Sequence, residues 1–165
     1  MERIASIILR IAEIGFGAVV AGVNGDIIDA WTDAGADSWS MGRFIYTEVV
    51  AGLSILLSIL RLIPLSWTFT HWHADLIISL CWWAAFGLLV DQLDQGACGG
   101  AFDWDNISLR GDPCGKFKAV VAFTFLSALV WLVSAIIGFF WTEKRVARSE
   151  MAGLRRRRWH RWSYA

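Results

Sequence analysis

The sequence predicts an all-α integral membrane protein, a bundle of four transmembrane helices with a disulfide-stapled second outer loop. Three observations carry that expectation. Hydrophobic residues make up 56% of the 165 and charged residues only 18%, against about 45–50% and about 25% in soluble domains. The apolar residues fall into four runs, each near the ~20 residues that cross a bilayer core. Lysine and arginine then crowd the ends of those runs mostly on one side, which sets an orientation. The length suits one domain, read as a transmembrane unit over residues 1–142 and a basic tail over 143–165.

The first span lies within residues 4–28, from about 7 onward, and holds Arg10 and Glu13 with Asn24 near its far end. Its start imitates a signal peptide, but Arg10 and Glu13 interrupt the apolar region, so it reads as a signal anchor. The second span covers about 44–63, interrupted by Glu48 and closed by Arg61 and Pro64. The third covers about 74–93, with Asp91 already at its outer end. The fourth, about 119–141, carries no charge at all. A loop with Asp29, Asp33 and Asp37 joins the first two spans, and a tight link over 64–73 joins the next two.

With both termini in the cytosol, that side holds Arg3, Arg10, Arg61, Lys144, Arg145, Arg148, Arg155, Arg156, Arg157, Arg158 and Arg161. The other side holds only Arg43, Arg110, Lys116 and Lys118. Positive charge gathers on the cytosolic side of short loops, so this is the predicted orientation. The zero net charge therefore hides an asymmetry and says nothing about partners.

The stretch "ACGGAFDWDNISLRGDPCG" (97–115) becomes the second outer loop. Cys98 and Cys114 lie there in an oxidising compartment, each followed by glycine. A bridge between them closes about fifteen residues, worth ~3 kcal/mol by loss of chain entropy. The competing metal reading lacks a CxxC and a nearby histidine. Asn106-Ile107-Ser108 is a formal N-glycosylation acceptor on the correct side, although the loop is short and pinned near the bilayer. Asp103, Asp105 and Asn106 resemble the start of a calcium loop, yet its glycine and closing glutamate are missing. Cys81, inside the third span, reads as a packed core thiol.

Ionisable groups inside spans are candidates for function by default. Arg10 and Glu13, three apart, share one helix face, and the plain reading is a self-satisfied pair with Arg10 snorkelling outward. Glu48 lies too far from Arg43 for a shared face and is expected to meet Asn24 or Lys118 across the bundle. Asp75 opens the third span, where a carboxylate favours a helix N-terminus. His71 and His73 before it imitate a metal site, but Trp67 and Trp72 flank them as in an interfacial belt. No metal site, phosphate loop or nucleophile triad is legible.

Small residues let helices approach closely in lipid. Gly17 with Ala21, and Ala18 with Gly22, have small-xxx-small spacing, and Gly15 is expected to add to that face. Ser127, Ser134, Ala135 and Gly138 offer similar positions in the fourth span. Packing within the bundle and contact with a partner helix both remain open. In the tail, Arg155–Arg158 and Arg161 alternate with Trp159 and Trp162. Each basic residue near an anionic leaflet contributes ~1 kcal/mol and tryptophan prefers the headgroup region. Attachment to the anionic cytosolic leaflet is therefore expected before nucleic-acid binding; an arginine-based retrieval signal is the other reading.

Four spans, cytosolic termini and cysteines in the second outer loop, not the first as in claudins, make a specific combination. The chain resembles MARVEL-domain proteins, the fungal tetraspan type in particular. The resemblance rests on "LRIAEIGFGAVVAG" (9–22), on "ADLIISLCWWAAFGLLV" (74–90) with Asp75 leading paired tryptophans, and on "KFKAVVAFTFLSALVWLVSAIIG" (116–138). It implies a left-handed four-helix membrane bundle without known enzymatic activity. Members are associated with membrane apposition, vesicle trafficking and organisation of plasma-membrane domains. The acidic outer loop and the Arg-Trp density of the tail depart from the pattern.

The expected function is a non-enzymatic membrane scaffold or organiser in the plasma membrane or an endomembrane. It needs no cofactor beyond bound lipids, and it works as a homo-oligomer or as an accessory subunit of a larger assembly. The alternative is a small transporter or channel in which Glu13, Glu48 and Asp75 face one shared, wet cavity.

Overall fold

Neither of the two prolines lies inside an apolar run, so nothing in those runs breaks an i→i−4 ladder. The computed structural model describes residues 2–33, 35, 38–62, 72–95 and 112–162. They form α1 (Glu2–Asp33), α2 (Ser38–Leu62), α3 (Trp72–Gln95) and α4 (Pro113–Trp162). The membrane-length apolar stretches are Ile7–Ala30, Met41–Leu62, Trp72–Asp94 and Pro113–Lys144.

The fourth helix departs from expectation at both ends. It starts at Pro113, not near 119, because Asp112 and Pro113 form a ready helix start. The Lys116 amide donates to the Asp112 carbonyl at 3.1 Å, and proline at the first helical position loses no needed donor. Cys114 therefore sits in the first turn of α4 and not in a loop. At the other end α4 runs on to Trp162, 50 residues in all, so the helix does not stop where the apolar stretch does. Between α1 and α2, Gly35 adopts φ +67° and its amide donates to the Thr32 carbonyl at 3.2 Å. Glycine takes this left-handed conformation without a Cβ penalty.

Each helix packs on its chain neighbours and α4 closes the ring against α1, while α2 and α3 are the least closely apposed neighbours. Val20, Phe44, Trp82, Leu89, Val120, Val121 and Trp131 fill the centre. Ile8, Ile11, Val49, Leu56, Ile77, Leu80 and Phe140 point outward, an apolar exterior that suits lipid. Between helices in lipid, close packing and hydrogen bonds replace the hydrophobic effect as the source of association. Gly17 shows the packing part: a Cβ there would lie 3.1 Å from Ile55 Cγ1 on α2. Gly138 does the same for α4 and α3, with Trp72 Cβ 3.2 Å from the corresponding point.

Candidate functional site: a charged clasp across four helices

At the end of the bundle where α1 begins, seven side chains from all four helices converge. Arg10 and Glu13 come from α1, Ser58 and Arg61 from α2, Asp75 from α3, and Trp131 and Ser134 from α4. The spacing of Arg10 and Glu13 places them one turn apart, and Arg10 Nη1 donates to Glu13 Oε2 at 2.7 Å. Ser58 Oγ donates to the same oxygen at 2.8 Å. Arg10 also spans to Asp75, with Nη1 and Nη2 lying 3.5 and 3.3 Å from its two oxygens. Arg61 pairs with Asp75 Oδ1, and Ser134 Oγ donates to Asp75 Oδ2 at 3.4 Å.

The four charges cancel within the cluster, and they do so away from solvent. Side-chain exposure is 13% for Arg10, 0% for Glu13, 11% for Arg61 and 4% for Asp75. Both guanidinium carbons stack over Trp131, at 5.7 Å for Arg10 and 5.9 Å for Arg61. Cation–π attraction of this kind is worth about 0.5–2 kcal/mol, more when desolvated. Losing one partner of a buried pair costs roughly 3–5 kcal/mol, because an uncompensated charge is left behind. Two buried polar atoms of the cluster, Glu13 Oε1 and Trp131 Nε1, have no hydrogen-bond partner among the described residues.

A second polar node lies toward the other end. Asn24 Nδ2 donates to Glu48 Oε2 at 2.8 Å and to the Phe44 carbonyl at 2.9 Å. Glu48 stands ten residues before Ser58 on α2, about 15 Å along the helix. The three carboxylates expected to share one cavity thus divide: Glu13 and Asp75 share the clasp, and Glu48 belongs elsewhere. Beyond this node, Arg43 pairs with Asp91 at 2.7 Å and Lys116 with Asp26 at 3.2 Å. Polar contacts bridge the looser α2–α3 seam at four heights. They are Arg61–Asp75, Trp82 Nε1 to Ser54 Oγ at 2.8 Å, Tyr46 hydroxyl to the Cys81 carbonyl at 3.4 Å, and Arg43–Asp91.

Several expectations change. Arg10 does not snorkel outward; the Asp75 carboxylate and the Trp131 face draw it in. The Arg10–Glu13 pair is not self-contained, since Arg10 joins Glu13 to Asp75. The small-residue face of α1 divides as well. Gly17 is buried and Ala21 packs on the core, whereas Gly15, Ala18 and Gly22 point outward; at Gly15 and Gly22 a Cβ would meet nothing within 4 Å. Gly15 does not join the Gly17 face because two positions turn a helix by about 200°. Cys81 is a free thiol. Cys98 and Asn106 lie outside the described residues, and with them the bridge to Cys114 and the glycosylation acceptor. Arg155, Arg156, Arg157, Arg158, Trp159, Arg161 and Trp162 lie on the helical continuation of α4.

Ser58, Arg61, Trp131 and Ser134 are clasp members that were not singled out in that role. Arg61 reads from sequence as a boundary residue closing its span. The usable signal was the short link after it: an antiparallel α2–α3 pair must bring Arg61 beside Asp75. Among the described residues no group of three His, Cys, Asp or Glu side chains is placed to hold a metal ion.

The family model for MARVEL, described as a membrane-associating domain, matches residues 3–137. The match covers the first three apolar stretches, the fourth as far as residue 137, and every member of the clasp. No curated protein matches the chain.

Proposed function

Because this chain belongs to the MARVEL family of membrane-associating domains, we propose that it is a non-enzymatic scaffold that organises lipids or partner proteins within the bilayer. One observation carries this reading: the four charges of the clasp are spent on one another. Glu13 and Asp75 are neutralised by Arg10 and Arg61, and Glu48 accepts from Asn24. A carrier needs carboxylates that exchange partners along a path, and these hold the helices together instead. What is left for interaction is the outward apolar surface, the outer loop and the basic end of α4. Both termini face the cytosol in this reading, in the plasma membrane or an endomembrane. The chain works as a homo-oligomer or within a larger membrane assembly, with lipids as its only bound small molecules.

Gentle extraction followed by native mass spectrometry tests the proposal. Retained lipids together with self-association or a co-purifying membrane protein are expected. Reconstituted vesicles should leak protons and cations no faster than protein-free ones. A lipid-free monomer, or a flux that Glu13→Gln or Asp75→Asn abolishes, overturns it.

A further inference from the structure

Trp82 and Trp131 are both fully buried, yet they differ in what their indole N–H meets. Trp82 Nε1 donates to Ser54 Oγ at 2.8 Å. Among the described residues Trp131 Nε1 has no acceptor and Glu13 Oε1 has no donor. Buried polar groups without a partner are rare in folded proteins, and here two fall in one cluster. Both belong to the clasp and both lie against Arg10. Glu13 takes a hydrogen bond from the guanidinium through its other oxygen, at 2.7 Å. Trp131 lies beneath the same guanidinium, with the ring centroid 5.7 Å from Cζ. The remaining members, Arg10, Ser58, Arg61, Asp75 and Ser134, each have a partner inside the clasp.

The chemistry of the two atoms narrows what completes them. An ionised carboxylate oxygen only accepts and an indole N–H only donates, so the partner must donate to one and accept from the other. Arg10, Arg61, Glu13 and Asp75 already cancel, so it must also be neutral, since an added ion would be a buried charge without compensation. Protonating Glu13 would unbalance the cluster in the same way and would give Trp131 nothing. Glu13 is 1% exposed and Trp131 0%, an enclosure that suits a very small molecule and not a hydroxyl carried on a lipid. Water meets every one of these demands, and buried waters typically make about three hydrogen bonds to polar groups that lack other partners. Arg10 and Arg61 keep 13% and 11% of their side chains exposed, so the clasp reaches the surface of the bundle, which gives water its way in.

We propose that the clasp holds internal water, which donates to Glu13 Oε1 and accepts from Trp131 Nε1. This hydration site is independent of whatever the outer surface of the bundle organises in the bilayer. The test uses the full chain in phosphatidylcholine nanodiscs, with nitrogen-15 in the tryptophan indoles, and measures magnetisation transfer from water to each indole proton by NMR. The Trp131 signal is identified by its loss in Trp131→Phe and by its contacts with Arg10 protons; Trp82, equally buried but bonded to Ser54, is the internal control. Transfer to Trp131 should exceed transfer to Trp82 by at least about fivefold, as for a proton bonded to an ordered water. It should persist in Glu13→Gln, which keeps a side-chain oxygen at that point. In Glu13→Leu it should fall at least about threefold as the water loses a partner, with an unmoved Trp82 signal showing that the bundle is intact. Should Glu13→Leu not fold, the comparison of the two indoles in the native chain decides alone. Equal transfer to Trp131 and Trp82, or undiminished transfer in a folded Glu13→Leu, would overturn the proposal. Transfer to Trp131 from lipid protons alone would overturn it too, and would assign the two atoms to a lipid hydroxyl.

Discussion

Arg10 and Asp75 lie 3.3 Å apart although 65 residues separate them, and Arg61 reaches the same carboxylate from a third helix. Removing Asp75 therefore strands two buried guanidinium groups with only Glu13 to offset them. Asp75→Ala should cost about 3–5 kcal/mol of bundle stability. Adding Arg61→Met to that variant should recover part of the loss, since a buried pair replaced by apolar groups is often close to neutral. Denaturant unfolding in detergent, followed as a double-mutant cycle, measures the coupling. Purely additive losses would mean that the pair acts at no shared point.

Trp82 and Ser54 test the α2–α3 seam. The indole donates to the hydroxyl at 2.8 Å and both residues are fully buried. Ser54→Ala leaves the indole N–H unpaired and should cost about 1–3 kcal/mol. Trp82→Phe in the Ser54→Ala background should then cost less than in the native chain. Thermal unfolding of the three variants provides the comparison.

Gly17 and Gly22 separate packing from lipid exposure. A Cβ at Gly17 comes within 3.1 Å of Ile55, whereas one at Gly22 meets nothing. Gly17→Val should destabilise by about 1–3 kcal/mol through overpacking against α2. Gly22→Val should leave the bundle's unfolding midpoint unchanged. If it dissociates an oligomer in mild detergent, the outward small face of α1 is a contact between chains.

The outer-loop bridge gives a chemical prediction. Alkylation without reductant should label Cys81 alone, with Cys98 and Cys114 recovered as one cross-linked peptide. Reduction should lower stability by ~3 kcal/mol if chain entropy dominates. Three labelled thiols before reduction would exclude the bridge.

The four helices were legible because crossing a bilayer demands a length and an apolarity that few other structures share. The Arg10–Glu13 pair was legible because three residues make a helical turn. The pairing of either with Asp75 was not, since it depends on the order of helices round the ring and periodicity within a helix is silent about that. The same ignorance blurred α1: spacing separates the Gly17–Ala21 side from the Ala18–Gly22 side, yet only the neighbours decide which turns inward. Residues 143–162 were read by charge, as a tail. Their lack of proline already permitted the helix that α4 continues into them.

The clasp also bears on how the chain enters a bilayer during synthesis. Arg10 and Glu13 arrive together on the first helix, one turn apart and of opposite sign. Arg61 and Asp75 arrive together on either side of the short link in the α2–α3 hairpin. Each piece can thus be handed to lipid with its clasp charges already cancelled. Only when both pieces are in place does Arg10 share itself with Asp75, and the fourth helix then seals the four charges under Trp131.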